Sequence, residues 1–400
     1  MTQEQSRFSF HRQALAEDLC NSLEGKGLVD NSSGLFLAAP RRTGKSTFLR
    51  EDLVPEAARR NWSCIYVDLW SDRSRDPALL LAEAIKSAIA EHQGAIAKMA
   101  KSTGLDKFNI MGALSFDLSK VGQAGGITLA DALAHLADKA GQPVLLIVDE
   151  AQHALTSEEG VNAMFALKAA RDSLNQGKAG ARLFLVFTGS HRDKLAHLVL
   201  KKDQPFFGSQ VTPFPLLRQD FTDAYTDWVN VRLAAGNQFG RQDMFEAFQW
   251  VGHRPELLKA MIGEIALDLG AASNLGQMLK QGAEGIRNRI WDSMESEVAG
   301  LTELQQAVLE VMVRKGKDFS PFTEDSLKAY REILGQEALA AHTVQAALDG
   351  LREKNLIWRS ARGAYALEDE SLAQWFGQGR GNASDDRSVE GIRYVEDLRR

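Results

Sequence analysis

Leu35-Phe36-Leu37-Ala38-Ala39-Pro40-Arg41-Arg42-Thr43-Gly44-Lys45-Ser46-Thr47 begins as a short apolar run, breaks into a turn rich in Pro, Arg and Gly, and closes on a Gly-Lys-Ser triplet. Helix-compatible residues continue from Phe48. Strand, loop and helix in that order are the context in which G-x-x-x-x-G-K-[ST] cradles phosphate, because loop N–H groups and the helix N-terminus turn partial positive charge toward anionic oxygens. In this reading Lys45 reaches the β- and γ-phosphates and Ser46 ligates Mg²⁺. The first glycine of the pattern is Ala39 here, so the loop must open in an ordinary backbone conformation.

Further along, Val144-Leu145-Leu146-Ile147-Val148-Asp149-Glu150 is an apolar strand that ends in two adjacent carboxylates. Buried strands seldom end this way without a cation nearby. Asp149 is suited to holding hydrated Mg²⁺ and Glu150 to orienting and deprotonating an attacking water. A third run, Leu183-Phe184-Leu185-Val186-Phe187-Thr188-Gly189-Ser190, ends in small polar residues. Ligands of open α/β sheets sit at the carboxyl ends of strands, so Ser190 is the candidate to contact the γ-phosphate or the water.

Apolar runs at Gly34–Ala39, Cys64–Trp70, Val144–Val148 and Leu183–Phe187, separated by helix-length stretches, predict an α/β fold: a P-loop NTPase parallel sheet with helices on both faces. This core is placed at residues 1–215. Between its second and third strands, Lys101–Gly126 reads as an ordered hairpin or a loop. Helical patterns without strands follow over 216–300, a helical lid and connector. Residues 301–376 read as three helices and a hairpin around Gly363, a C-terminal winged-helix domain. Residues 377–400 form a flexible tail in which Val389, Ile392 and Val395 share one helical face.

Composition narrows the function classes. The chain has 400 residues, a net charge of −6 and a pI near 5.8, so no global positive field draws it to nucleic acid or anionic lipid. Only Cys20 and Cys64 occur, which speaks against a disulfide framework and for the cytoplasm. No run approaches the roughly 18 apolar residues of a membrane span. The eight histidines show no H-x-x-x-H spacing and there is no G-x-S-x-G, so neither a zinc centre nor a serine hydrolase is expected.

Taken together, these residues resemble the archaeal-type ATPase family, a branch of AAA+-like proteins close to the STAND signalling ATPases and the origin-recognition ATPases. Pro40-Arg41-Arg42-Thr43-Gly44-Lys45-Ser46 is similar to that family's P-loop, Asp149-Glu150-Ala151-Gln152 to its acidic strand end and Thr188-Gly189-Ser190 to the strand after it. The resemblance implies a Mg-dependent ATPase that binds ATP through Pro40, Arg41, Arg42, Thr43, Gly44, Lys45, Ser46 and Thr47. Phe10-His11-Arg12-Gln13 is similar to the family's N-terminal motif and would put Arg12 near the adenine. Gly252-His253-Arg254-Pro255 is similar to its lid turn and would turn His253 or Arg254 toward the phosphates. Ser209 stands where the family often carries an arginine, which leaves Arg192 as the substitute finger if the protein is a homo-oligomer.

Two kinds of partner stay open for the 301–376 module. A protein effector fits its 9 Lys and Arg against 12 Asp and Glu, a net of −3. DNA would have to use the local cluster Arg352, Lys354, Arg359 and Arg362.

Overall fold

The computed structural model describes residues 7–103, 127–176, 182–234, 237–267, 274–361, 363–369 and 371–379. Most of the Lys101–Gly126 segment, Arg362, and the tail with Val389, Ile392 and Val395 lie outside the described residues. The chain divides into two compact units: His11–Ala39 with Lys45–Phe214, and Pro40–Gly44 with Met1–Phe10 and the chain from Pro215 onward.

The first unit starts with α1 (Gln13–Leu23) and β1 (Leu35–Ala38). After the loop come α2 (Lys45–Phe48), a π-helical turn (Leu49–Leu53) and α3 (Val54–Arg59). Then follow β2 (Ser63–Asp68), α4 (Pro77–Thr103), α5 (Leu129–Ala140), β3 (Val144–Asp149), α6 (Glu158–Asn175), β4 (Leu183–Gly189), α7 (Arg192–Leu200) and β5 (Val211–Pro213). The five strands pair in parallel in the order β2-β3-β4-β1-β5.

Why the strand runs are continuously apolar is visible in their packing. Alternate residues point to opposite faces, so Val144, Leu146, Val148, Leu183, Leu185 and Phe187 pack under α4 to α7, while Leu145, Ile147, Phe184 and Val186 pack against α1, α2 and α3. In β1, β3 and β4 neither face meets water. β5 was not among the expected strands, being three residues long and ending in Pro213; its edge position is where a strand tolerates proline.

The second unit is helical at first: α8 (Gln219–Asn230), α9 (Arg241–Trp250), α10 (Pro255–Leu267) and the 25-residue α11 (Leu275–Ala299). Phe221, Tyr225 and Trp228 recur along one face of α8, and Phe8 meets all three edge-on at centroid distances of 5.0 to 6.0 Å. A separate core gathers α12 (Glu303–Lys315), α13 (Glu324–Leu334), α14 (Ala341–Glu353), the antiparallel pair β6 (Ile357–Ala361) and β7 (Ala364–Leu367), and α15 (Ser371–Gly379). Among the described residues no helix is long and apolar enough to cross a membrane.

Candidate functional site

In the sheet unit, the polar groups expected to work together converge at the carboxyl ends of β3 and β4. Strand parity explains how: Tyr66, Asp149 and Thr188 lie on the same sheet face as Ile147 and Val186, the face that α2 covers. The Lys45 side chain, only 6% exposed, donates to Asp149 Oδ1 and to Thr188 Oγ1 (2.8 Å), with Glu150 Oε1 3.7 Å away. Ser46 Oγ donates to Asp149 Oδ2 at 2.7 Å.

Asp149 therefore carries its charge in the interior. Burial by itself pushes the carboxyl up, but the Lys45 ammonium and the hydrogen bonds from Lys45, Thr188 and Tyr66 outweigh it and hold the group well below the usual carboxylate range. Next along the chain, Glu150 sits at φ 54°, a left-handed conformation rare for a side chain of this size. That turn brings its Oε2 to Ser190, which donates from Oγ at 2.8 Å and from its backbone N–H at 3.2 Å, while the Gln152 amide donates to the same oxygen. Arg192, half-buried, opens α7 two residues beyond Ser190. Arg12 lies 5.1 Å from the Phe214 ring centroid and 5.8 Å from that of Phe48, the last residue of α2.

In the second unit, Pro40–Gly44 is held as a turn. Thr43 Oγ1 donates to the Pro40 carbonyl at 2.8 Å, and Arg42 (φ 66°) and Gly44 (φ 89°) adopt left-handed conformations, whereas Ala39 does not. A glycine is thus needed at 44 and dispensable at 39. Arg41 and Arg42 are exposed, as is Thr47 of the sheet unit. The Arg42 guanidinium lies 3.6 Å from Glu256 in the first turn of α10. Of the two candidates in the lid turn, His253 faces inward, its Nδ1 on the Leu217 carbonyl at 2.9 Å and its ring on Phe248. Arg254 points the other way and meets Asp369 Oδ2 at 3.4 Å. The second oxygen of Asp369 accepts from the Ser371 N–H that starts α15.

Tyr66, Thr188, Gln152, Glu256 and Asp369 were not expected at these positions. Tyr66 lies two residues before the end of β2, and only the sheet order, which places β2 beside β3, brings its hydroxyl to Asp149 at 2.6 Å. Gln152 lies in the Asp149-Glu150-Ala151-Gln152 run, where an amide two residues after a glutamate is the signal that could have found it.

Residues 29–195 match an AAA domain family. Among solved structures the chain is similar to a Walker-type ATPase of Pyrococcus abyssi, with 19% identity, 92% of this chain and 96% of the other covered, and a TM-score of 0.52. It is also similar to the ORC2 protein of Aeropyrum pernix in its ADP form, at 14% identity, 93% and 94% coverage, and a TM-score of 0.51. At these identities the likeness is one of fold. No curated protein matches the chain.

Proposed function

We propose, on the premise that residues 29–195 are an AAA-type P-loop domain, that the protein binds and hydrolyses Mg·ATP and uses the nucleotide state to set its C-terminal module for a protein partner. The observation that carries this reading is the convergence of Lys45, Ser46, Asp149, Glu150 and Ser190 on one sheet end. The donor set fits the cofactor: an ammonium for phosphate, and a hydroxyl paired with an ionised carboxylate for a hard cation that takes oxygen ligands.

In this function Pro40, Arg41, Arg42, Thr43, Gly44 and Thr47 form the loop around the phosphates. Lys45 neutralises phosphate charge, and Ser46 with Asp149 holds Mg²⁺. The ion, when bound, neutralises charge that develops on the transferred phosphoryl group. Glu150 accepts a proton from the attacking water at Oε1, the oxygen that faces Lys45 at 3.7 Å, while Ser190 and Gln152 hold Oε2 and so aim the carboxylate. Arg12 lies toward the base, and Arg192 supplies the positive charge that Ser209 lacks. We assign 1–215 to the ATPase core, 216–300 to the lid and connector, 301–376 to a winged helix and 377–400 to a tail.

The switch has a candidate route inside one compact unit: the phosphate loop meets α10 through Arg42 and Glu256, and two residues away Arg254 meets Asp369, which starts α15. A ligand shifts a conformational equilibrium only through differential contacts in the two states, and this chain of pairs offers them. Hydrogen exchange of residues 303–379 should differ between Mg·ATP and Mg·ADP; equal protection with ATP, ADP and no nucleotide would refute the switch. For the ATPase itself, Glu150→Gln should retain ATP and slow single-turnover hydrolysis by about 10² to 10⁴-fold, the usual contribution of a positioned base. Normal hydrolysis by that variant would assign the base elsewhere.

A protein partner is favoured over DNA because Arg352 is already paired with Asp349 at 3.2 Å, while Phe322 and Ile333 are exposed on the same module. Duplex binding through about four phosphates would give a log K against log salt slope of about −3.6; such a slope would reverse the preference.

A further inference from the structure

The Asp149 carboxylate accepts five donors, more than the roughly four lone-pair directions it offers. On Oδ1 these are Lys45 Nζ, Thr188 Oγ1 and the Glu150 N–H at 3.0 Å; on Oδ2 they are Ser46 Oγ at 2.7 Å and Tyr66 Oη at 2.6 Å. Lys45 and Ser46 belong to the groups that phosphate and Mg²⁺ would claim. What then remains on side chains is one hydroxyl per oxygen, each from a strand flanking β3: Tyr66 from β2 and Thr188 from β4.

We infer that Tyr66 and Thr188 are positioning residues that clamp Asp149 from both neighbouring strands, so that its carboxylate keeps a metal-ready plane when Lys45 and Ser46 turn to the ligand. The torsion about a carboxylate's last bond is broad and soft. A donor on one oxygen alone would leave the group free to swing, whereas one on each fixes its plane. Tyr66 is itself held, with the Arg50 guanidinium 4.5 Å from its ring centroid and its backbone registered opposite Ile147. Arg50 comes from the π-helical turn directly after α2, so the segment that presents Lys45 and Ser46 also braces the clamp. Tyr66 acts through Asp149 alone, whereas Thr188 also accepts from Lys45 at 2.8 Å, so Tyr66 gives the cleaner test.

This inference rests on the Mg·ATP reading of the site, and its test separates the two. A fluorescent ATP analogue is titrated into the full chain with excess chelator, and then across a Mg²⁺ series. Partners of metal ligands typically contribute about 10- to 100-fold in metal affinity. Tyr66→Phe, which keeps the ring, should therefore raise the Mg²⁺ midpoint by about that factor and leave Mg-free affinity unchanged. Thr188→Val should shift the midpoint the same way, and Thr188→Ser, which restores a hydroxyl, should return it; melting curves identify any variant that fails to fold. An unmoved Mg²⁺ midpoint in Tyr66→Phe, or equal losses with and without Mg²⁺, overturns the clamp. A wild-type protein that binds no nucleotide under either condition overturns the ATP reading itself.

Discussion

The end of β3 and the C-terminal module use charge in opposite ways. Lys45 and Asp149 are 6% and 2% exposed, and each satisfies the other. Within the module, Lys328 and Glu332 pair while 69% and 65% exposed, and Arg331 and Lys315 pair with carboxylates that are 79% and 82% exposed. A surface pair is worth about 0 to 1 kcal/mol, whereas removing one partner of a buried pair costs about 3 to 5 kcal/mol because it strands the other. The contrast separates charge sealed inside a fold from charge that keeps a surface wet.

The sharpest way to break that contrast is Lys45→Ala. Nucleotide binding should vanish in a titration, and because Lys45 is buried, denaturant unfolding should also show a loss of about 3 kcal/mol. Its acid limb should weaken. With Lys45 present, Asp149 is held below its ordinary value of 3.8, so its contribution to stability is present above that value and is lost as pH falls toward the depressed one. Without Lys45 the strongest influence lowering the group is gone while burial still raises it, so the stability lost as pH falls should shrink. A mildly destabilised variant with the wild-type acid limb would show the pair to be electrostatically unimportant.

Effects in the module should be smaller and local. Thr302 and Gln305 form a reciprocal capping box at the start of α12, and Thr302→Ala should cost about 1 kcal/mol by chemical denaturation. Lys328→Ala should stay within about 0.5 kcal/mol. A loss at Lys328 as large as that at Lys45 would erase the distinction between the regions.

How legible each region was follows the same division. The parallel sheet could be read because both its faces are covered, which forces continuous apolar runs at Leu35, Val144 and Leu183. That Lys45, Ser46, Asp149, Glu150 and Ser190 meet at one sheet end could be expected because each stands at or just beyond the end of an apolar run. Tyr66 could not, since its meeting with Asp149 depends on strand order, and alternation along β2 says only which face it takes. Asp369 was hidden for another reason: 115 residues separate it from Arg254, and a surface carboxylate before a short helix looks like an ordinary cap. His253 was placed by the likeness of its turn to a family lid turn, and the left-handed backbone of that turn, φ 53° after Gly252 at 70°, decides its direction.

Glu150 carries a consequence for how such a protein can change over time. Its left-handed backbone is a conformation that glycine reaches without steric cost and that other residues hold at about 1 to 3 kcal/mol of strain. The position is thus a standing invitation to replacement, because the residue that suits the backbone best has no carboxylate at all. Under the proposed function, selection for robustness alone would drift toward an inert, sturdier molecule, and a glutamate persists there only as long as turnover is what is being selected.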